Sequence, residues 1–161
     1  MTATLEDFMN LYGGIYEHSP WIAETAFAQG PFDDVEKLHQ ALKLIVNGAN
    51  TDAQLKLILA HPDLACAPGS MTALTDASQN EQSGAGLDSC SASEYEAFQD
   101  LNRRYRNKFG FPFIIAVKGL QRTEILTEFR ARMSNNKAQE FETALNEIHK
   151  IAHGRLRALA K

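Results

Sequence analysis

Three places in the chain combine residue types that can do chemistry. His61 stands directly before Pro62 and opens a connection, residues 62–77, that holds Pro, Gly, Ser, Thr and Asp without helical periodicity. Proline disfavours the α conformation in the residue before it, so the helix read over Leu55–Ala60 must end at the histidine and present its ring. The carbonyl end of a helix favours the imidazolium and raises its pKa from about 6.5, whereas burial lowers it. Either way the ring titrates near neutrality, and it reads both as a proton acceptor and as a cap on the last helix carbonyls. The second place is Ser78-Gln79-Asn80-Glu81-Gln82-Ser83-Gly84-Ala85-Gly86-Leu87, where an acid and amides adjoin small residues that admit close approach of a backbone or ligand. If Ser78 caps a short helix, Glu81 is the third-position acid of a capping box, a structural carboxylate; the alternative is an acid–base group. The third is Phe111-Pro112-Phe113-Ile114-Ile115-Ala116-Val117. It could be a buried strand, but it finds no partner strand in the sequence and Pro112 argues against a central one, so a buried extended segment is expected.

His149 and His153, four apart on a helical pattern, could in principle ligate a metal from one face. The sequence offers them no third ligand, and the H-E-x-x-H pattern is absent because Lys150, Ile151 and Ala152 lie between them, so no metal is expected.

These groups sit among helix start and stop signals that recur almost without interruption, while period-two alternation is nearly absent. Thr4 with Asp7 reads as a capping box for a helix closed by Gly13 and Gly14, and Ser19-Pro20 opens a second that Gly30 ends. Asp33 or Asp34 caps a third, with Val35, Leu38, Leu42, Ile45 and Val46 on one stripe, and Thr51 with Gln54 caps the fourth. Ser91 to Glu94 opens a long helix with Tyr95, Phe98, Leu101 and Tyr105 inward, closed by Gly110. Two more follow, Thr123 to Ser134 and Lys137 to Leu159, joined by Asn135 and Asn136. No internal repeat or interdomain linker interrupts them. The expectation is one all-α domain over residues 1–161, with about seven to eight helices and one buried extended segment at 111–117.

Composition narrows the function classes. With 161 residues, 44% of them hydrophobic and 22% charged, the chain suits a globular domain. A net charge of −4 gives no general attraction to nucleic acid or an anionic membrane, and the run Arg103, Arg104, Arg106, Lys108 reads as a solvated helix face. Met1 to Phe8 match neither a secretory nor a transit signal, and the ending Ala158-Leu159-Ala160-Lys161 is not a Ser-Lys-Leu address, so a cytoplasmic place is expected. Cys66 and Cys90 lack C-x-x-C spacing and, in that compartment, are expected to be ordinary small residues.

Taken together, the motifs resemble those of the OHCU decarboxylases. His61-Pro62-Asp63-Leu64-Ala65, then Ser78-x-x-Glu81-Gln82-x-x-Ala85-Gly86-Leu87, then Phe109-Gly110-Phe111-Pro112-Phe113-Ile114-Ile115-x-Val117-x-Gly119 occur in the family's order and spacing, and the likeness runs from the first helix to the last. It implies cofactor-free decarboxylation of a small ureidoimidazoline, 2-oxo-4-hydroxy-4-carboxy-5-ureidoimidazoline, to (S)-allantoin at the end of uric acid degradation. The family's catalytic His and Glu carry onto His61 and Glu81. Its substrate contacts carry onto Pro62, onto Ser78, Gln79, Asn80, Glu81 and Gln82, and onto the backbone of Phe113, Ile114, Ile115, Ala116 and Val117. A ligand-binding arginine in an Ile-Ala-x-x-Arg-Leu context matches Arg155 in Ile151-Ala152-His153-Gly154-Arg155-Leu156, ahead of its neighbour Arg157. Gly154 departs from the larger residue the family usually has there. Two rivals stand beside this reading: a helical binding module in which His61 and Glu81 only cap, and a ureide hydrolase in which they activate water. Oligomeric state is not legible, a homodimer being one option.

Overall fold

The computed structural model describes residues 4–64 and 90–159. They form seven α-helices and, among the described residues, no strand: α1 (Leu5–Tyr12), α2 (Pro20–Phe27), α3 (Val35–Gly48), α4 (Thr51–Leu59), α5 (Ala92–Phe109), α6 (Arg122–Arg132) and α7 (Lys137–Leu159). No helix among these residues is long and apolar enough to cross a membrane. The fold is all-α, as the helical periodicity predicts, and residues 112–117 run between α5 and α6 as a buried segment without regular structure.

Local chemistry explains the helix boundaries. Thr4 and Asp7 make the reciprocal capping box of α1, and Ser91 with Glu94 makes that of α5. Pro20 occupies the first turn of α2, where its missing N–H is no loss. At α3 it is Asp34 that accepts from the Lys37 amide (2.8 Å), while Asp33 pairs with the Lys37 ammonium. The cap of α4 differs from expectation. Asn50, not Thr51, accepts from the Ala53 amide at 2.8 Å, because asparagine one residue earlier is at least as good a cap, and Thr51 becomes the first helical residue. Gln54 instead donates to the Val46 carbonyl. Gly110 closes α5 with φ +80, a left-handed conformation that favours glycine. The basic run on α5 is an exposed face in which Arg103 and Arg104 pair with Asp100 and Arg106 pairs with Asp63. Cys90 is disulfide-bonded and therefore not the ordinary small residue expected; a compartment inferred from targeting signals says nothing of which cysteines come together. Cys66 lies outside the described residues.

The chain divides into two compact units, Met1–His61 with Ile148–Lys161, and Pro62–Glu147. In the first, α1 packs on α2 and α2 on α3, and Ile22, Leu42, Val46, Leu57, Ile58, Ala152 and Leu156 form the buried apolar centre. A polar thread runs through it. Tyr16 bonds Nδ1 of His149 (2.8 Å), Nε2 of His149 faces the Asn47 side-chain oxygen (3.0 Å), and the His149 carbonyl receives Nε2 of His39 (3.1 Å). Since the two carbonyl-type oxygens only accept, both rings carry the proton on Nε2 and stay neutral. Burial pushes the His149 pKa down to about 4, helped by the charge of Lys43, and burial also lowers that of His39.

In the second unit, Tyr105, Phe109, Phe111, Phe113 and Phe129 form an aromatic core, with Phe113 stacked on Phe129 at 3.8 Å. Fully buried Glu140 accepts from Tyr105 (2.6 Å), Arg132 (2.8 Å) and Asn135 (2.9 Å). Arg132 also lies over the Phe113 ring and donates to the Ile114 carbonyl (2.7 Å), which fixes the segment after Pro112. Asn102 of α5 holds the Leu64 carbonyl (3.1 Å) and so anchors the chain just beyond His61 and Pro62.

Arg132→Met should therefore destabilise the protein by about 3–5 kcal/mol, because Glu140 keeps a buried charge without its cation; urea unfolding measures this, and a loss under about 1 kcal/mol would contradict the assignment. The histidine thread makes stability depend on pH. Folded-state pKa values of His39 and His149 lie below the unfolded value, so only the unfolded chain takes up protons as pH falls from about 6.5. Stability should be full above that pH and decline toward about 4, the folded value of His149. A urea midpoint equal at pH 7 and pH 5 would contradict it.

Candidate active site

α4 ends where Pro62 forbids continuation, and the His61 ring folds back on the helix that it terminates. Its Nδ1 lies 2.9 Å from the Leu57 carbonyl. A carbonyl only accepts, so the proton is on Nδ1 and the lone pair is on Nε2. The two readings of His61 thus concern the two nitrogens of one ring: Nδ1 caps the helix, and Nε2 keeps the lone pair. Of the opposing influences on its pKa, burial wins. The ring is 6% exposed, and desolvation brings the pKa down to about 4 against the raising effects of the Leu57 bond and the Glu17 charge. At neutral pH His61 is an unprotonated base.

Arg155 is buried on α7, whereas Arg157 is exposed beside Glu36. Its guanidinium donates to Glu17 Oε1 at 2.8 Å and to the Ile15 carbonyl at 3.2 Å. The sequence reading missed Glu17. This carboxylate is 2% exposed, pairs with Arg155, lies 3.7 Å from the exposed His18 ring, and acts electrostatically on His61. His18 has φ +47, a left-handed backbone that non-glycine residues rarely adopt. It carries the chain from Glu17, turned inward, to Ser19, whose hydroxyl donates to the Glu17 carbonyl instead of capping α2. Its one local signal in the sequence is an acid and a histidine side by side immediately before the helix start at Ser19-Pro20. One unit of the fold therefore gathers His61, Glu17 and Arg155: a neutral base, a buried anion and a buried cation.

The other site residues fall elsewhere. Pro62 is half-buried. Of residues 113–117, the Ala116 amide already donates to Glu147 (3.0 Å), which removes it from the donors expected for a ligand. No acceptor among the described residues takes the amides of Phe113, Ile114, Ile115 or Val117, although these residues are buried. Ser78, Gln79, Asn80, Glu81 and Gln82 lie outside the described residues, as do Gly84, Ala85 and Gly86. Gly154 does not interrupt α7, and a Cβ there would meet nothing within 4 Å. The pairing of His149 with His153 for a metal is not made, because both ring nitrogens of His149 are bonded to Tyr16 and Asn47.

The chain is similar to known proteins over nearly its whole length. The OHCU decarboxylase family model matches residues 2–157. A 2-oxo-4-hydroxy-4-carboxy-5-ureidoimidazoline decarboxylase of Haloferax volcanii is 47% identical over 151 residues, 94% of this chain and 88% of that protein. Among solved structures, an OHCU decarboxylase in the presence of (S)-allantoin superposes with a TM-score of 0.74 at 25% identity, covering 99% of this chain and 100% of the other. An (S)-allantoin synthase does so with a TM-score of 0.74 at 34% identity, covering 98% of this chain but 51% of the other. With a family match over nearly its whole length, the chain belongs to the OHCU decarboxylase family.

Proposed function

We propose that the protein decarboxylates 2-oxo-4-hydroxy-4-carboxy-5-ureidoimidazoline to (S)-allantoin in uric acid degradation, with His61 and Glu81 as its proton-transferring pair. The observation that carries this reading is His61 itself, a buried, neutral imidazole whose tautomer is set by the Leu57 carbonyl and whose Nε2 is unprotonated. The chemistry asks for little else. When CO2 leaves the ring carbon, the electron pair left behind flows into the adjacent carbon–nitrogen double bond, so the substrate supplies the electron sink that cofactors provide in other decarboxylations. His61 takes the substrate hydroxyl proton as the ring carbonyl forms, and Glu81 orients the ureido nitrogens and returns a proton to carbon.

Electrostatics support these roles. Glu17 stabilises the imidazolium that His61 becomes, since a nearby anion favours the charged ring. Arg155 binds a carbonyl oxygen of the substrate rather than the departing carboxylate; a bidentate clamp there would stabilise the reactant more than the transition state. Its charge is already offset by Glu17. Amides of Phe113, Ile114, Ile115 and Val117 serve ring oxygens where charge accumulates, and Pro62 and residues 78–82 complete the contacts. A homodimer is the state to test by scattering.

The pH dependence follows with a definite sign. In the free enzyme His61 stays unprotonated well below pH 6.5, so the acid limb of kcat/KM should lie below that value. A bound anionic substrate raises the His61 pKa, so the acid limb of kcat should lie above that of kcat/KM. Coincident limbs at about 6.5 would contradict a buried base. His61→Asn should keep its fold and lose at least about a hundredfold in kcat. Released CO2 should match optically active product mole for mole; product without CO2 would mean a hydrolase, and racemic product at the enzymatic rate would remove Glu81 as proton donor.

A further inference from the structure

A second cluster of ligating side chains lies on α3 and the last turns of α7, apart from His61. Donor atoms of Glu36, His39 and His153 all fall within 4.8 Å of one another. The His39 and His153 rings stack with centroids 4.5 Å apart and planes within 19°, so the half-buried His153 ring must turn for both in-plane lone pairs to converge on one ion. His153 Nε2 sits 2.9 Å from both Glu36 oxygens. His39 is buried and gives its Nε2 proton to the His149 carbonyl, which leaves Nδ1 with a lone pair. A histidine that ligates a metal almost always donates its other ring N–H to just such an acceptor, which orients the ring. Burial keeps the His39 ring neutral, the form a metal needs.

We propose that Glu36, His39 and His153 form a three-ligand site for a first-row divalent cation of the zinc type, which ties α3 to the C-terminal part of α7. The cation takes the place of the proton held between His153 Nε2 and the Glu36 carboxylate. Two imidazoles and one carboxylate suit Zn²⁺, Co²⁺ or Ni²⁺ far better than Mg²⁺ or Ca²⁺, which take oxygen ligands. Glu36 is exposed and His153 half-buried, so water can complete the coordination. Arg157, whose Nε lies 3.5 Å from Glu36 Oε1, opposes the cation and limits its affinity. The sequence hid this site because its third and second ligands lie more than a hundred residues upstream of His153, on another helix.

The test is calorimetric titration of Zn²⁺ into the chelator-stripped full chain, with Co²⁺ as a paramagnetic probe of the histidine ring signals. Zn²⁺ should bind with a stoichiometry of one and raise the Tm. His153→Ala and Glu36→Gln, both at accessible positions, should each weaken binding by at least about tenfold. Arg157→Gln should tighten it severalfold, because it removes the opposing charge. Co²⁺ should broaden the rings of His39 and His153 and spare that of exposed His18. The proposal is overturned if no binding occurs with Zn²⁺, if binding is unchanged in both His153→Ala and Glu36→Gln, or if His18 is the ring that broadens.

Discussion

One hydrogen bond organises the candidate active site, from the Nδ1 proton of His61 to the carbonyl of Leu57. It exists because Pro62 stops α4 one residue later, leaving helix carbonyls that need donors, and because the residue at the stop has a ring that reaches back by four positions. The bond closes the helix, and it also decides which nitrogen keeps a lone pair. The capping interaction and the choice of tautomer are therefore one interaction. Burial adds the second half of the arrangement by lowering the pKa of the ring, so that an unprotonated nitrogen stands where water is scarce.

The charges around that base are paired within the fold. Glu17 and Arg155 form a buried ion pair. Removing one partner of such a pair is costly, while the intact pair contributes little net stability. The second unit repeats the principle with a structural aim. There Glu140 and Arg132 are buried together, and the Arg132 bond to Ile114 holds in place a segment that has no strand partner. Apolar side chains alone would bury this segment; the polar network fixes its conformation, and with it the direction of the amides of Phe113, Ile114, Ile115 and Val117.

How far the sequence could be read follows from the range of the forces involved. Helix limits depend on neighbours three or four residues away, so Thr4, Asp7, Ser91, Glu94 and Gly110 announced them, while the cap at Asn50 rather than Thr51, the end of α2 at Phe27 before Gly30 and the limits of α6 at Arg122 and Arg132 fell one to three residues from expectation. His61 was legible because a proline beside a histidine is a local event. The partners of Arg155, His149 and Arg132 were not. Glu17 lies 138 residues from Arg155, and Asn47 lies 102 from His149. Pairings at such separations leave no periodic trace, and a buried carboxylate has the same letter as a solvated one. Arg132 was hidden differently, at the end of an amphipathic pattern where a charged residue is expected to face water but instead lies 4% exposed.

The proposed chemistry depends on the state of one ring, and nitrogen NMR of His61 reads that state directly. In uniformly 15N-labelled protein at pH 7, long-range correlations from the His61 ring protons should show a protonated Nδ1 and an unprotonated, pyridine-like Nε2, and the pattern should persist as the pH is lowered through 6.5. An Nε2-protonated tautomer, or an imidazolium at neutral pH, would contradict the assignment of Nε2 as the base.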